Sequence, residues 1–324
     1  MRAAWYERQG PARDVLKVGE MPDPTAGPGE VRIRVSASGI NPGDTKKRGD
    51  TFGVGMPYPR VIPHSDGAGR IDQIGPGVSS EWIGRNVWCY GAQSYRAFGT
   101  AAEFTVVPAD HVAPLPENVS MEQGACLGIP GITGYRAVQV GGDVRGHTVF
   151  VQGAAGSVGI CAVALALHAG ARVIGSVRSD ADLPTARNAG AHDVIVSGSD
   201  LVSRVKALAP NGVDHIVEVA FGANVDADVE LLKSDGSIAT YATDNATPKI
   251  LFWQLVFKNI RVYFLGSDDF PREAKMQAAR DINSALEAGW AGFEIGERLP
   301  PAEIGRAHDL VDHPARRGRV VVIL

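Results

Sequence analysis

VFVQGAAGSVG, residues 149–159, decides how this chain folds. Val149, Phe150 and Val151 form a short apolar run with no polar alternation, the pattern of a strand covered on both faces. The run stops at Gly153, and Gly153, Gly156 and Gly159 then stand three apart. An apolar stretch from Ile160 to Ala169 reads as a helix, and Arg172 to Val177 reads as a second buried strand. Backbone without Cβ atoms can approach a pyrophosphate closely, and the start of the following helix offers free N–H groups and the positive end of its dipole. Three spaced glycines alone are weak evidence. A strand before them, a helix after them and a second strand at the expected distance make a dinucleotide fingerprint.

The end of the second strand bears on which dinucleotide. An NAD site wants an acid about 20 residues past the loop to hold the ribose 2′-hydroxyl. Here Val177 stands among Ser176, Arg178 and Ser179. A guanidinium flanked by hydroxyls suits a 2′-phosphate, because the arginine fork matches phosphate oxygens. The expected cofactor is therefore NADPH, with Ser176, Arg178 and Ser179 at its 2′-phosphate. Asp180 and Asp182 argue for NADH if the turn shifts by a few residues.

Outward from the loop, apolar strands recur at 193–196, 215–219, 237–241 and 260–265, with helix-like stretches between them. That alternation predicts a parallel sheet covered by helices on both sides. The N-terminal third differs. Val31 to Val35 alternates apolar and polar, and further short strand-like pieces follow at 61–62, 69–71, 86–90 and 102–107. Glycine and proline punctuate them, as in a twisted barrel or sandwich. After about residue 267 the texture is mixed again, and 320–324 reads as a closing strand. The expected fold is α/β: a β-rich domain from 1–120 and 267–324, and a doubly wound Rossmann domain from 121–266.

Composition excludes several classes. Charged residues are 21% and hydrophobic ones 44%, ordinary for a globular chain. Net charge is −4, against the basic stripe of a nucleic-acid binder. The dense basic clusters, Lys46 to Arg48 and Arg316 to Arg319, read as local anion contacts or solvated faces. No apolar run reaches the roughly 18 residues of a membrane helix, and the N-terminus lacks a signal peptide's apolar core. Cys89, Cys126 and Cys161 are too far apart for a disulfide framework or a zinc ribbon, and suit a reducing cytoplasm.

Five stretches together resemble a known family: SGINPGDTKKRG (38–49), PHSDGAGRIDQIGPGV (63–78), GIPGITGYRAV (128–138), VQGAAGSVG (151–159) and DHIVEVAFGAN (214–224). In this order, over nearly the whole chain, they resemble the zinc-free quinone oxidoreductases, the zeta-crystallin-like group of the medium-chain dehydrogenase/reductase superfamily. The resemblance implies a GroES-like catalytic domain interrupted by the Rossmann domain. Zinc-dependent relatives carry three ligands whose places here are Asn41, Ser65 and Ile129, none a thiolate or imidazole. His64 falls where those enzymes have glycine and reads as a packed, hydrogen-bonded histidine. No bound metal is expected.

The implied activity is NADPH-dependent reduction of a quinone, an acceptor that spreads the new charge over its own π-system. The alternatives are an enone, alkenal or enoyl reductase on the same scaffold and a non-enzymatic nucleotide- or RNA-binding crystallin-like protein. By the resemblance, Asn41 is the catalytic-site candidate beside the nicotinamide, and Thr133 shapes that pocket. Ala155, Gly156, Ser157 and Val158 hold the pyrophosphate. Ser197 and Asn224 line the adenosine and ribose side. Tyr241, Ala242, Thr243, Phe264 and Leu265 border the nicotinamide half. Lys46 and Phe52 replace tyrosines common in relatives, and Lys46 is a further cofactor contact. The expected partners are a small quinone or enone and a second copy of the chain, as homodimer or homotetramer, through the 260–265 edge. Neither membrane nor nucleic acid is expected.

Overall fold

A computed structural model describes residues 1–313 and 318–324 of the chain. Arg316 and Arg317 of the second basic cluster lie outside the described residues. The chain divides into two compact units, Met1–Pro130 with Gly292–Leu324, and Gly131–Ala291.

The first unit is β-rich. Its strands are β1 (Arg2–Trp5), β2 (Lys17–Glu20), β3 (Glu30–Gly39), β4 (Asp66–Ile74), β5 (Asn86–Cys89), β6 (Phe104–Pro108) and β7 (Val112–Pro114). The second unit contributes β8 (Thr148–Val151), β9 (Arg172–Val177), β10 (Asp193–Val196), β11 (Val213–Glu218), β12 (Leu232–Thr240) and β13 (Arg261–Phe264). The first unit is completed by β14 (Ile295–Leu299) and β15 (Arg319–Ile323).

The first unit's main sheet runs β14-β15-β3-β4-β5-β7, with β6 also paired to β3. All its pairings are antiparallel except β14 with β15. The alternation read at 31–35 is real: Val31, Ile33 and Val35 are buried in one core cluster with Ile71, Val87 and Val107. The polar partners Arg32 and Arg34 face out, and their guanidiniums cover the Phe104 ring.

The second unit carries a six-stranded sheet in the order β10-β9-β8-β11-β12-β13. Every pairing in it is parallel. Successive residues of each strand feed opposite faces. Val149 and Val151 pack with Val173, Val217 and Ala239 on one side, beneath Ala162, Val163 and Ala166. Phe150 packs with Ile174, Ile216 and Ile238 on the other, beneath Val205, Val225 and Val229. Burying each such large side chain contributes about 1.5–3 kcal/mol, which is why the strands show no polar alternation. The strand order reverses between β8 and β11, and ligands of such sheets bind outside the strand ends at that point.

The second unit extends further than the texture suggested. Helix Arg272–Glu287 lies beyond residue 267, where the sequence texture predicts the return to the β-rich domain. It belongs to the Rossmann unit. The side chain of its fully buried Ile282 crowds Gly131, and Ser284 meets His168 across 3.2 Å. Its amphipathic pattern fits either core, so texture alone could not assign it.

Candidate functional site

In the second unit the predicted cofactor residues converge on one edge. The loop Gln152–Gly156 follows β8, Arg178 and Ser179 follow β9, and Ser197 follows β10. Asn224 lies in the first turn of helix Phe221–Leu231, which follows β11, Tyr241 to Thr243 follow β12, and Leu265 follows β13. All therefore stand at the carboxyl ends of parallel strands.

The glycine loop has the features an anionic ligand needs. Gly153 has φ +66, and a Cβ on Gly159 would lie 2.2 Å from the Gly153 carbonyl oxygen. Both positions therefore require glycine. Helix Ser157–His168 begins at Gly156, and no side chain caps it. The start of that helix therefore presents backbone and the positive end of its dipole, with no capping side chain in front of it. Arg178 is exposed and makes no hydrogen bond or ion pair with the described residues. These features fit a phosphorylated dinucleotide.

Other expected contacts are engaged elsewhere. Ser176 is 1% exposed. Its hydroxyl donates to Gln152 Oε1 at 2.8 Å and accepts from Gly153 N–H at 3.4 Å. It braces the loop from beneath instead of facing a 2′-phosphate. Ser179 donates to Asp182 at 2.8 Å. Asn224 donates to the Glu218 carboxylate at 3.0 Å. Leu265 N–H donates to Thr240, and the Ala242 carbonyl accepts from Phe221. Thr243 Oγ1 donates to the Asn245 carbonyl. Thr133 is buried in helix Gly128–Gln139, and Phe264 is 72% exposed at the end of the edge strand. Ser197 is exposed.

The first unit holds a separate polar cluster. Asn41 caps helix Pro42–Arg48, and its N–H donates to Asp44 at 2.8 Å. Asn41 is 3% exposed. Its Nδ2 donates to Asp66 at 2.6 Å, and its Oδ1 accepts from Arg319 at 2.7 Å. Asp66 also accepts the Ile129 N–H on both oxygens, at 2.8 and 2.9 Å. A Cβ on Gly128 would lie 2.1 Å from Asp66 Oδ1, so only glycine lets that backbone close on the carboxylate. The positions matching the first and third zinc ligands are thus bridged by Asp66. Burial pushes the Asp66 carboxyl up to about 7, against the pull of Asn41, Ile129 and Arg319. The expected catalytic amide of Asn41 has both ends committed within its own unit, which makes it first an organiser of this cluster. Among the described residues no group of three or more His, Cys, Asp or Glu is placed to hold a metal ion.

His64 is fully buried with φ 76, a left-handed backbone unusual for a residue with Cβ. Its Nδ1 pairs with Ser38 Oγ at 2.7 Å and its Nε2 with His308 Nε2 at 2.9 Å. Burial lowers its pKa to about 3. The basic clusters divide: Lys46 is exposed, whereas Arg48 and Arg319 are buried, Arg48 on Asp312 at 2.7 Å.

Sequence reasoning missed Asp66, Arg319, Gln152, Glu218 and Asp228 as site residues. The one available signal was the buried-strand setting of Glu218 and Gln152, where a polar residue needs a partner.

Known proteins agree with this architecture. Residues 27–117 match the family described as alcohol dehydrogenase GroES-like domain, and residues 157–279 match the one described as zinc-binding dehydrogenase. The quinone oxidoreductase of Rattus norvegicus is 30% identical, over 98% of this chain and 96% of that one. The chain belongs to the quinone oxidoreductases of the medium-chain dehydrogenase/reductase superfamily. A mycobacterial quinone oxidoreductase structure has a TM-score of 0.88 at 26% identity, covering 100% of both chains. A mycobacterial protein complexed with NADPH has a TM-score of 0.85 at 26% identity, again over 100% of both chains. In this quinone oxidoreductase family member, no described helix is long and apolar enough to cross a membrane.

Proposed function

We propose that the chain reduces a quinone with NADPH. The observation that carries this reading is the helix with no side-chain cap behind a turn whose Gly153 and Gly159 admit no Cβ, with the unpaired Arg178 guanidinium on the same strand edge. The turn and the first N–H groups of helix Ser157–His168 take the pyrophosphate. Arg178 takes the 2′-phosphate. Ala155, Gly156, Ser157 and Val158 bring backbone to the ligand. Tyr241 to Thr243, with Phe264 and Leu265, limit the space on the nicotinamide side. Bound there, NADPH would supply the hydride that the acceptor receives. Asn41 serves as the anchor of the polar cluster of the first unit, and Lys46 and Ser197 remain exposed side chains able to meet an anion or a ribose.

The NADPH-complexed neighbour and the quinone oxidoreductase relatives support this reading. The test is turnover of NADPH with a panel of ortho-quinones, para-quinones and enals. The reading predicts quinones well ahead of enals. The reverse order would make the protein an alkenal reductase.

For the assembly we propose a homodimer through β13. Strand β13 ends the sheet, and helix Phe252–Phe257 beside it exposes Trp253 and Phe257 at 63% and 78%. An exposed apolar sheet edge is a site for pairing with another chain.

A further inference from the structure

The first unit contains a buried series of hydrogen bonds that the cofactor reading does not use. Ser38 stands on β3, His64 just before β4, Asp66 at its start, Thr100 before β6 and His308 on helix Ile304–Asp312. All five are fully buried. Thr100 Oγ1 donates to the Asp66 main-chain carbonyl at 2.6 Å. Ser38 Oγ lies 2.7 Å from Thr100 Oγ1 and 2.7 Å from His64 Nδ1. His64 Nε2 lies 2.9 Å from His308 Nε2, with the ring centroids 5.0 Å apart.

The direction of every link follows from the last one. A carbonyl oxygen can only accept, so the Thr100 hydrogen is committed to Asp66. The Thr100 oxygen must then accept from the Ser38 hydroxyl, and Ser38 in turn must accept from His64. His64 therefore carries its hydrogen on Nδ1, which leaves its Nε2 as an acceptor. His308 donates to that acceptor from its own Nε2. The remaining His308 nitrogen, Nδ1, has no hydrogen-bond partner among the described residues. A second hydrogen between the two Nε2 atoms would set donor against donor, so both rings are neutral and both tautomers are fixed by geometry.

The series ends on the residue that organises the polar cluster. Thr100 holds the Asp66 carbonyl, while the Asp66 carboxylate holds Asn41 Nδ2 and the Ile129 N–H. Arginine is a donor only, so the Arg319 contact keeps the Asn41 oxygen on its own side and turns Nδ2 to Asp66. The left-handed backbone of His64, at φ 76, persists in a residue with Cβ only where its surroundings over-determine it. Here the His64 carbonyl accepts the Thr100 N–H at 3.0 Å. Backbone directly, and ring through Ser38, both fasten Thr100.

We propose that His308, His64, Ser38 and Thr100 form a one-directional series of hydrogen bonds that holds Asp66, and with it the Asn41 amide, in the geometry that acceptor reduction needs. All four are positioning residues. The proposal rests on the reading that the protein reduces quinones.

The test has two arms, both on the full chain near neutral pH. Nitrogen NMR of the histidine rings, assigned with His64→Asn and His308→Gln, should show His64 protonated on Nδ1 and His308 on Nε2. The second arm is initial rates with NADPH and a para-quinone. Thr100→Val keeps the shape and removes the hydroxyl, and its kcat should fall by about tenfold, the effect of unmet buried acceptors. Its KM for NADPH should not change, because the glycine loop belongs to the other unit. Thr100→Ser returns the hydroxyl and should restore kcat. His308→Leu should lose kcat in the same way, and His308→Gln, which carries an N–H at similar reach, should keep it. If His308→Leu does not fold, the two Thr100 variants decide. Thr100→Val with a lowered melting temperature and an unchanged kcat overturns the proposal, as does His64 protonated on Nε2, and either leaves quinone reduction standing. Wild type that reduces no quinone overturns both.

Discussion

Two residues carry separable consequences. Arg178 is the unpaired cation on the strand edge, and a charge-assisted contact to phosphate is worth about 1.5–3 kcal/mol. Arg178→Glu should therefore weaken NADPH binding by about tenfold to a hundredfold and leave NADH binding equal or better, read by fluorescence titration of both. Burial of His64 and His308 predicts a contribution to acid stability. Burial lowers both pKa values, His64 to about 3, and the neighbouring His64 and the Arg48 guanidinium add to the effect on His308. In the folded chain they stay neutral, while the unfolded chain binds protons below about 6.5. Their stabilising effect is complete above that value and is lost as pH falls toward the folded values, by about 1.4 kcal/mol per pH unit for each histidine. Asp66, raised to about 7, works in the opposite direction. Comparing His308→Gln with wild type in denaturant titrations between about pH 6.5 and 5 isolates the histidines, and the variant should show the shallower fall. An identical slope would show that the pair does not control acid unfolding. The sequence displays Arg178 and His64 plainly. It hides their counterparts elsewhere: Arg319 meets Asn41, and His308 meets His64, only because distant strands and helices close on one another.

At the scale of elements, the strand-glycine-helix unit was readable because each part follows a local rule. Periodicity marks the strand, glycine marks the turn, and an apolar run marks the helix. The structure adds which glycines the backbone needs. A methyl group on Gly159 would press into the Gly153 carbonyl at 2.2 Å, whereas one on Gly156 meets the same oxygen at 3.2 Å. Gly159→Ala should cost about 1–3 kcal/mol through overpacking, a fall in Tm of about 2–4 °C per kcal/mol, and should abolish NADPH binding. Gly156→Ala should keep the wild-type melting temperature and weaken only the ligand. Thermal melts alongside titrations distinguish the two, and equal melting temperatures for both variants would contradict the strained-turn account. The buried network of Gln152, Ser176, Glu218 and Asp228 was not legible, because a polar residue in a strand names neither its partner nor its protonation. The unit boundary at Ala291/Gly292 escaped for a related reason: an amphipathic helix shows that it packs, not on what.

For the whole molecule, the parallel sheet and the β-rich unit were legible in outline, and the edge at β13 with its exposed aromatic helix is the surface proposed for a second copy. Trp253→Lys with Phe257→Lys should turn a dimer into a monomer by light scattering, without lowering the melting temperature, since both side chains are exposed. A wild-type monomer at micromolar concentration would contradict that assembly. The central claim, a loop in the Rossmann unit that holds NADPH for a quinone, has its most direct test in initial rates with a common para-quinone and either NADPH or NADH. The account predicts quinone-dependent consumption of NADPH, with kcat/KM at least about tenfold above that for NADH. Equal or faster consumption of NADH, or loss of reduced nicotinamide that ignores the quinone, would contradict it.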